Sequence, residues 1–132
     1  MYRKRMVAVR HFMSSAVHRL SPKDPLAEAF ALVEEHGVRH FPIVDRDAVV
    51  GILTLSDLAV IDSTLALDHN SARVGEVMTR DPYCVDAELS VGAISREMSR
   101  RRIGSALVTE SGKLVGVFTA TDAVRALGVL IE

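Results

Sequence analysis

The sequence predicts a mixed α/β (α+β) chain built from two copies of one repeat. Each copy is ordered strand–helix–strand–strand–helix, and the two pack face to face with pseudo-two-fold symmetry. Three observations carry this reading. Val9-Arg10-His11-Phe12-Met13-Ser14 matches Val74-Gly75-Glu76-Val77-Met78-Thr79 in apolar and polar class. The stretch from Val49 to Asp57 matches the stretch from Leu114 to Asp122 in the same way. Met13 and Met78, Gly51 and Gly116, Thr54 and Thr119, and Asp57 and Asp122 are each separated by the same 65 positions, so no gap intervenes. Self-similarity at a fixed period marks a duplicated structural unit, and a unit this small cannot cover its own sheet alone. The predicted organisation is a basic arm over 1–8, repeat 1 over 9–68, a linker over 69–73 and repeat 2 over 74–132.

Each copy justifies its elements in turn. A short extended piece comes first, Val17–Leu20 in repeat 1 and Pro82–Val85 in repeat 2. A helix follows, with Leu26, Ala29 and Val33 on one face and Val91, Ile94 and Met98 on its counterpart, both at i, i+3, i+7. In repeat 1, Asp24-Pro25 reads as an N-cap followed by proline in the first helical position, and Gly37 suits the exit. Two apolar strands come next: Phe41–Val44 and Val49–Leu53 around Asp45-Arg46-Asp47, and Ala106–Val108 and Leu114–Phe118 around Ser111-Gly112. A second helix opens near Ser56-Asp57 and Thr121-Asp122, whose side chains can satisfy free amides at its start. In repeat 1 it places Leu58, Ile61 and Leu65 on one face, with Val60 and Leu67 off it. In repeat 2 it is apolar nearly all round (Ala123, Val124, Ala126, Leu127, Val129, Leu130, Ile131), which predicts burial on more than one side.

Composition excludes several classes. The 132 residues carry 16 Lys and Arg against 17 Asp and Glu, so the net charge of −1 provides no general polyanion-binding surface. Arg3, Lys4, Arg5 and Arg10 cluster at the start but read as a solvated arm, and nucleic acid is not an expected partner. Cys84 is the only cysteine, so no intrachain disulfide forms; without an obvious base partner it reads as a small buried residue. No apolar run reaches bilayer length, and Met1–Arg10 lacks a leader-like apolar stretch, so a cytoplasmic location with no membrane partner is expected. His36 and His40 lack a third ligand, which argues against a metal site. There is no phosphate-cradling loop ending in Lys-Ser or Lys-Thr and no Gly-x-Ser-x-Gly elbow, and the repeats use nearly the whole chain. The expectation is that the chain is not an enzyme and requires no cofactor.

Thr54/Asp57 and Thr119/Asp122 carry the clearest chemistry. An ionised aspartate only accepts hydrogen bonds, and its two oxygens suit a pair of neighbouring hydroxyls such as a ribose 2′- and 3′-OH. A threonine three residues earlier can turn its hydroxyl to the same place, and the helix that begins there adds free amides and a positive dipole end. Ser56 and Thr121 sit beside the aspartates and join the candidate set. The same residue types are routine helix caps, and the two roles are compatible.

These residues resemble the cystathionine β-synthase (CBS) domain pair, often called a Bateman module. The resemblance rests on Met13 and Met78, on His40-Phe41-Pro42-Ile43-Val44-Asp45, and on the Gly-apolar-apolar-Thr-x-x-Asp signatures of Gly51–Asp57 and Gly116–Asp122. It covers roughly residues 9–132. It implies a regulatory module that stands alone and binds AMP, ADP, ATP or S-adenosylmethionine in the cleft between repeats, signalling by a change in packing. It implies that Asp57 and Asp122 bind ribose and that Thr54 and Thr119 bind ribose or phosphate. Arg39 and His40 would face phosphates, but their counterparts are Gly104 and Ser105; Arg100, Arg101 and Arg102 either compensate or form a solvated helix end. His18 and Tyr83, at equivalent positions, either stack on adenine or line the sheet. Pro42, which lacks a backbone donor, marks a strand edge that is exposed or meets the ligand. The resemblance further implies a homodimer through the second helices, with an unknown effector protein as a further partner. The competing reading is a ligand-free module for interaction or dimerisation.

Overall fold

The fold contains two antiparallel hairpins, one in each of two three-stranded sheets, and they match position for position. In the computed structural model, which describes residues 6–64 and 66–131, β1 (His40–Asp45) pairs with β2 (Ala48–Thr54), and β5 (Ser105–Glu110) pairs with β6 (Lys113–Thr119). Both turns span two residues. Arg46 adopts φ 59°, and Ser111 and Gly112 adopt φ 53° and 79°, the positive values that match a two-residue turn to strand twist. Even the bulge repeats, falling between Ile43 and Val44 in one hairpin and between Val108 and Thr109 in the other. All the strands predicted for these hairpins are present, each a residue or more longer at its ends.

The chain divides into two compact units: Val17–Pro82, and Met1–Ala16 with Tyr83–Glu132. The first unit holds α1 (Leu26–His36), the β1–β2 hairpin, α2 (Leu55–Thr64), the single turn α3 (Val74–Val77) and β3 (Thr79–Arg80), which pairs with β2. Leu20 bridges to Ile43 on the far side of β1, donating to the Pro42 carbonyl at 3.0 Å. Residues present their N–H and C=O to the same side of a strand, so the donor missing at Pro42 faces this sparsely paired edge. The proline itself is buried. The second unit holds β4 (Cys84–Asp86), parallel to β5, then α4 (Val91–Arg101), the β5–β6 hairpin and α5 (Ala120–Leu130). Ser14 bridges to Val117 of β6, just as β3 pairs with β2. The compact units are therefore offset from the sequence repeats by one segment. Val9–Ser14 opens repeat 1 in sequence but belongs to the unit of Tyr83–Glu132, and Val74–Arg80 belongs to the unit of Val17–Pro82.

A close approach explains why methionine and glycine recur together. A Cβ at Gly51 would lie 2.6 Å from Met78 Sδ and 2.9 Å from the Thr79 carbonyl oxygen; one at Gly116 would lie 2.5 Å from Met13 Sδ and 2.8 Å from the Ser14 carbonyl oxygen. Only glycine lets these segments reach the sheet. The cores are separate: Leu26, Phe41, Leu53, Leu58 and Val74 anchor one, and Val9, Ile94, Ala106 and Phe118 anchor the other.

Several expectations are corrected. Pro25, not Asp24, is the N-cap of α1, and Asp24 instead accepts from the Ser21 amide at 2.8 Å. The open amides of α1 go to the backbone, Leu26 N to Ala72 O and Ala27 N to His69 O, both at 2.8 Å, so no side-chain cap is needed. Cys84 is exposed, because alternation along β4 turns Val85 inward. Partial desolvation still raises its thiol pKa. Helix α2 stops at Thr64, so Leu67 lies outside it; Leu65 and the basic residues Arg3, Lys4 and Arg5 lie outside the described residues. The last helix is not buried all round: Ala126 is buried, but Val124, Leu127 and Val129 are exposed.

Candidate functional site

Thr54 and Thr119 end the second strand of each hairpin, and a helix begins at the next residue. Both pairs form reciprocal caps. The Thr54 amide donates to Asp57 Oδ2 at 2.9 Å, and the Asp57 amide donates to Thr54 Oγ1 at 3.1 Å. The Thr119 amide donates to Asp122 Oδ2 at 2.9 Å, and the Asp122 amide donates to Thr119 Oγ1 at 3.2 Å. This is a capping box with aspartate in place of the usual glutamate. Capping is thus observed in both units, and it holds each carboxylate at a helix N-terminus. Ser56 and Thr121 are exposed on the first turn beside them.

Local backbone pairing brings two basic residues of the first unit, Arg39 and His40, to this point. His40 lies opposite Thr54 in the β1–β2 register, and the Arg39 carbonyl accepts the amide of Leu55, the first residue of α2, at 2.9 Å. Arg39 is exposed. His18 lies two residues before the Leu20 bridge, and its ring stacks on His36 at 5.0 Å with 17° between planes. Four sequence-selected residues, Arg39, His40, Thr54 and Asp57, therefore meet at one end of one hairpin.

The second unit repeats this backbone with different side chains. Ser105 lies opposite Thr119, and the Gly104 carbonyl accepts the Ala120 amide at 3.0 Å, so no cation stands at these two positions. Two of the three upstream arginines, Arg100 and Arg101, are committed elsewhere. Arg100 makes a two-pronged contact with Glu97 at 2.8 and 2.6 Å, and Arg101 Nε reaches the same carboxylate at 2.7 Å. These hydrogen bonds, Arg100 first and then Arg101, pull the Glu97 pKa down to about 2. The Arg101 guanidinium also covers the Tyr83 ring at 4.5 Å. Burial, then the Glu97 carboxylate, raise the Tyr83 hydroxyl pKa, with Arg101 opposing. Tyr83 is half-buried against the core of its unit, its carbonyl accepts the Leu107 amide, and one ring face carries a cation.

The two carboxylates differ in a way their matched signatures conceal. Asp122 Oδ2 also accepts the Thr119 hydroxyl at 3.1 Å, and Oδ1 accepts from Arg125 Nη2 at 3.2 Å. At the position equivalent to Arg125 the first repeat has Val60. Among the described residues Asp57 accepts a single hydrogen bond, at Oδ2. Arg125 did not stand out in the sequence reading. Its position three residues after the aspartate on one helix face, set against valine in the other copy, was the available signal.

Among the described residues there is no group of three or more His, Cys, Asp or Glu able to hold a metal, and no helix is long and apolar enough to cross a membrane. The CBS domain family model matches residues 9–62 and again 74–129. The chain belongs to the CBS domain family. As a CBS pair it is 33% identical over 112 residues to inosine-5′-monophosphate dehydrogenase of Korarchaeum cryptofilum, where the match covers 84% of this chain but only 22% of that enzyme. The chain thus spans about a fifth of that relative's length. It is 29% identical over 123 residues to hypoxic response protein 1 of Mycobacterium tuberculosis, covering 92% of this chain and 86% of that one. Among solved structures, CBSX2 in complex with AMP aligns at a TM-score of 0.81 and 26% identity over 95% of this chain and 98% of that one. The CBS domain pair of protein MJ0100, in complex with 5′-methylthioadenosine and S-adenosyl-L-methionine, aligns at 0.83 and 25% over the same shares. Both of these similar structures are complexes with adenosyl ligands.

Proposed function

We propose that this chain is a regulatory CBS pair, not an enzyme, that binds an adenine nucleotide or adenosyl ligand through Thr54, Asp57, Arg39 and His40 and signals by a change in packing. The observation that carries the reading is the state of Asp57. Its cap uses Oδ2, leaving Oδ1 to accept the ribose hydroxyls, and the pairing of the Arg39-His40 backbone with Thr54 and Leu55 supports a phosphate role for those two residues. An arginine fork suits phosphate oxygens, so AMP, ADP and ATP are favoured over ligands without phosphate. Ser56 and His18 extend the same surface, and the set at Thr119, Thr121, Asp122 and Tyr83 forms the weaker second site. The complexes of CBSX2 with AMP and of MJ0100 with S-adenosyl-L-methionine support the ligand class.

The homodimer belongs to the same proposal. Val124 and Leu127 of α5 and Ile131 just after it are exposed, and beside α4 they border an apolar groove of about 690 Å³ reaching Val91 and Leu130. An apolar face of this kind on a soluble protein marks a protein contact, and a second copy pairing through the α2 and α5 helices would cover it.

Thermal melts with AMP, ADP, ATP and S-adenosylmethionine test the function. A ligand at a hundred times its Kd stabilises the folded state by about 2.7 kcal/mol. Arg39→Ala is expected to weaken AMP binding far more than adenosine binding. No stabilisation by any member of the panel refutes the reading, and equal losses for AMP and adenosine refute the phosphate role of Arg39.

A further inference from the structure

We infer that Arg125 closes the second site from within: it occupies the Asp122 carboxylate and so restricts diol binding to Asp57. The inference rests on the proposed adenosyl-binding reading and adds the residue that makes the two sites unequal. An ionised carboxylate offers about four lone-pair directions. At Asp122 three are taken, by the Thr119 amide, the Thr119 hydroxyl and Arg125 Nη2. A vicinal diol brings two donors, so it must displace Arg125 or the threonine hydroxyl. At Asp57 one direction is taken, and a diol meets no internal competitor among the described residues.

Arg125 is anchored and does not merely pass by. The same Nη2 donates to the Phe12 carbonyl at 2.8 Å, and the guanidinium lies over the Phe12 ring at 5.5 Å. Phe12 belongs to the segment whose methionine packs against Gly116, so the guanidinium is held by the backbone of its own unit. A free surface arginine would swing away from an arriving ligand at little cost. This one has to give up a backbone hydrogen bond and a ring contact as well. In the first repeat Val60, at the equivalent position, has no donor to offer.

The test compares adenosine with 2′,3′-dideoxyadenosine by calorimetry on the full chain, and the readout is the ratio of the two affinities at each site. Wild type is expected to show one diol-dependent event, lost in Asp57→Asn. Arg125→Val is expected to add a second, with the Asp122-dependent preference for adenosine rising about tenfold and vanishing when Asp122→Asn is added. Val60→Arg, at an exposed position where folding is not at stake, is expected to lower the Asp57-dependent preference about tenfold. That variant also covers the case in which loss of the Phe12 contacts unfolds Arg125→Val. Adenosine binding at Asp57 with unchanged ratios in both exchanged variants overturns the role of Arg125 alone. Weaker Asp122-dependent binding in Arg125→Val overturns it too, by making the arginine a ligand group. No adenosine binding to wild type or to either variant overturns the functional reading itself.

Discussion

Asp57 performs two tasks in this reading, and Asp57→Asn separates them. As part of the cap, the carboxylate accepts the Thr54 amide at 2.9 Å, and removing such a cap costs about 0.5–2 kcal/mol. As a binding group it offers Oδ1 to ribose, and hydrogen bonds to a charged group contribute about 1.5–3 kcal/mol. Asparagine retains one carbonyl oxygen for the amide but sets an NH2 donor where Oδ1 stood. The cap therefore survives, with a loss of at most about 1 kcal/mol, or a few degrees in Tm at this chain length. The diol acceptor does not survive, and adenosine affinity should fall about ten- to a hundredfold at 1.4 kcal/mol per factor of ten. Asp57→Ala should lose both. Calorimetry with adenosine and 2′,3′-dideoxyadenosine, paired with thermal melts, provides the two readouts. If Asp57→Asn keeps the wild-type preference for adenosine, the carboxylate is a cap and nothing more.

Two further outcomes follow from the packing. Gly51→Ala should destabilise by about 1–3 kcal/mol, the usual range for overpacking, because its Cβ would meet the Thr79 carbonyl oxygen as well as the movable Met78 side chain. In urea unfolding, Met78→Ala should therefore rescue Gly51→Ala only in part, and a neutral Gly51→Ala would refute the close-approach account. Light scattering at tens of micromolar should report a dimer that Leu127→Asp, at an exposed position of α5, converts to monomer. A monomeric wild type, or a dimer indifferent to Leu127→Asp, would move the interface elsewhere.

Much of the fold was legible in the sequence because its signals are local. The period of apolar residues, the turn pairs and the Thr-x-x-Asp caps act within a few residues, and duplication wrote each of them twice at one spacing. Gly37 could be read as a helix exit for the same reason, and it takes the left-handed C-cap conformation at φ 64°. Where the local signal was ambiguous the reading slipped: Asp24 has the chemistry of a cap, yet the amides it was expected to serve go to carbonyls at His69 and Ala72, more than forty residues away. Cys84 and Val85 are both small and apolar enough for a core, and only the pairing of β4 with β5 decided which one turns inward. Tertiary structure alone also decided that Val9–Ser14 joins the unit of the second repeat, and that Arg125 reaches the Phe12 carbonyl across 113 positions of chain. The sequence determined two matched Thr–Asp signatures, because those contacts span three residues. Whether each carboxylate stays open depends on a side chain anchored by a distant backbone carbonyl, which no local pattern encodes.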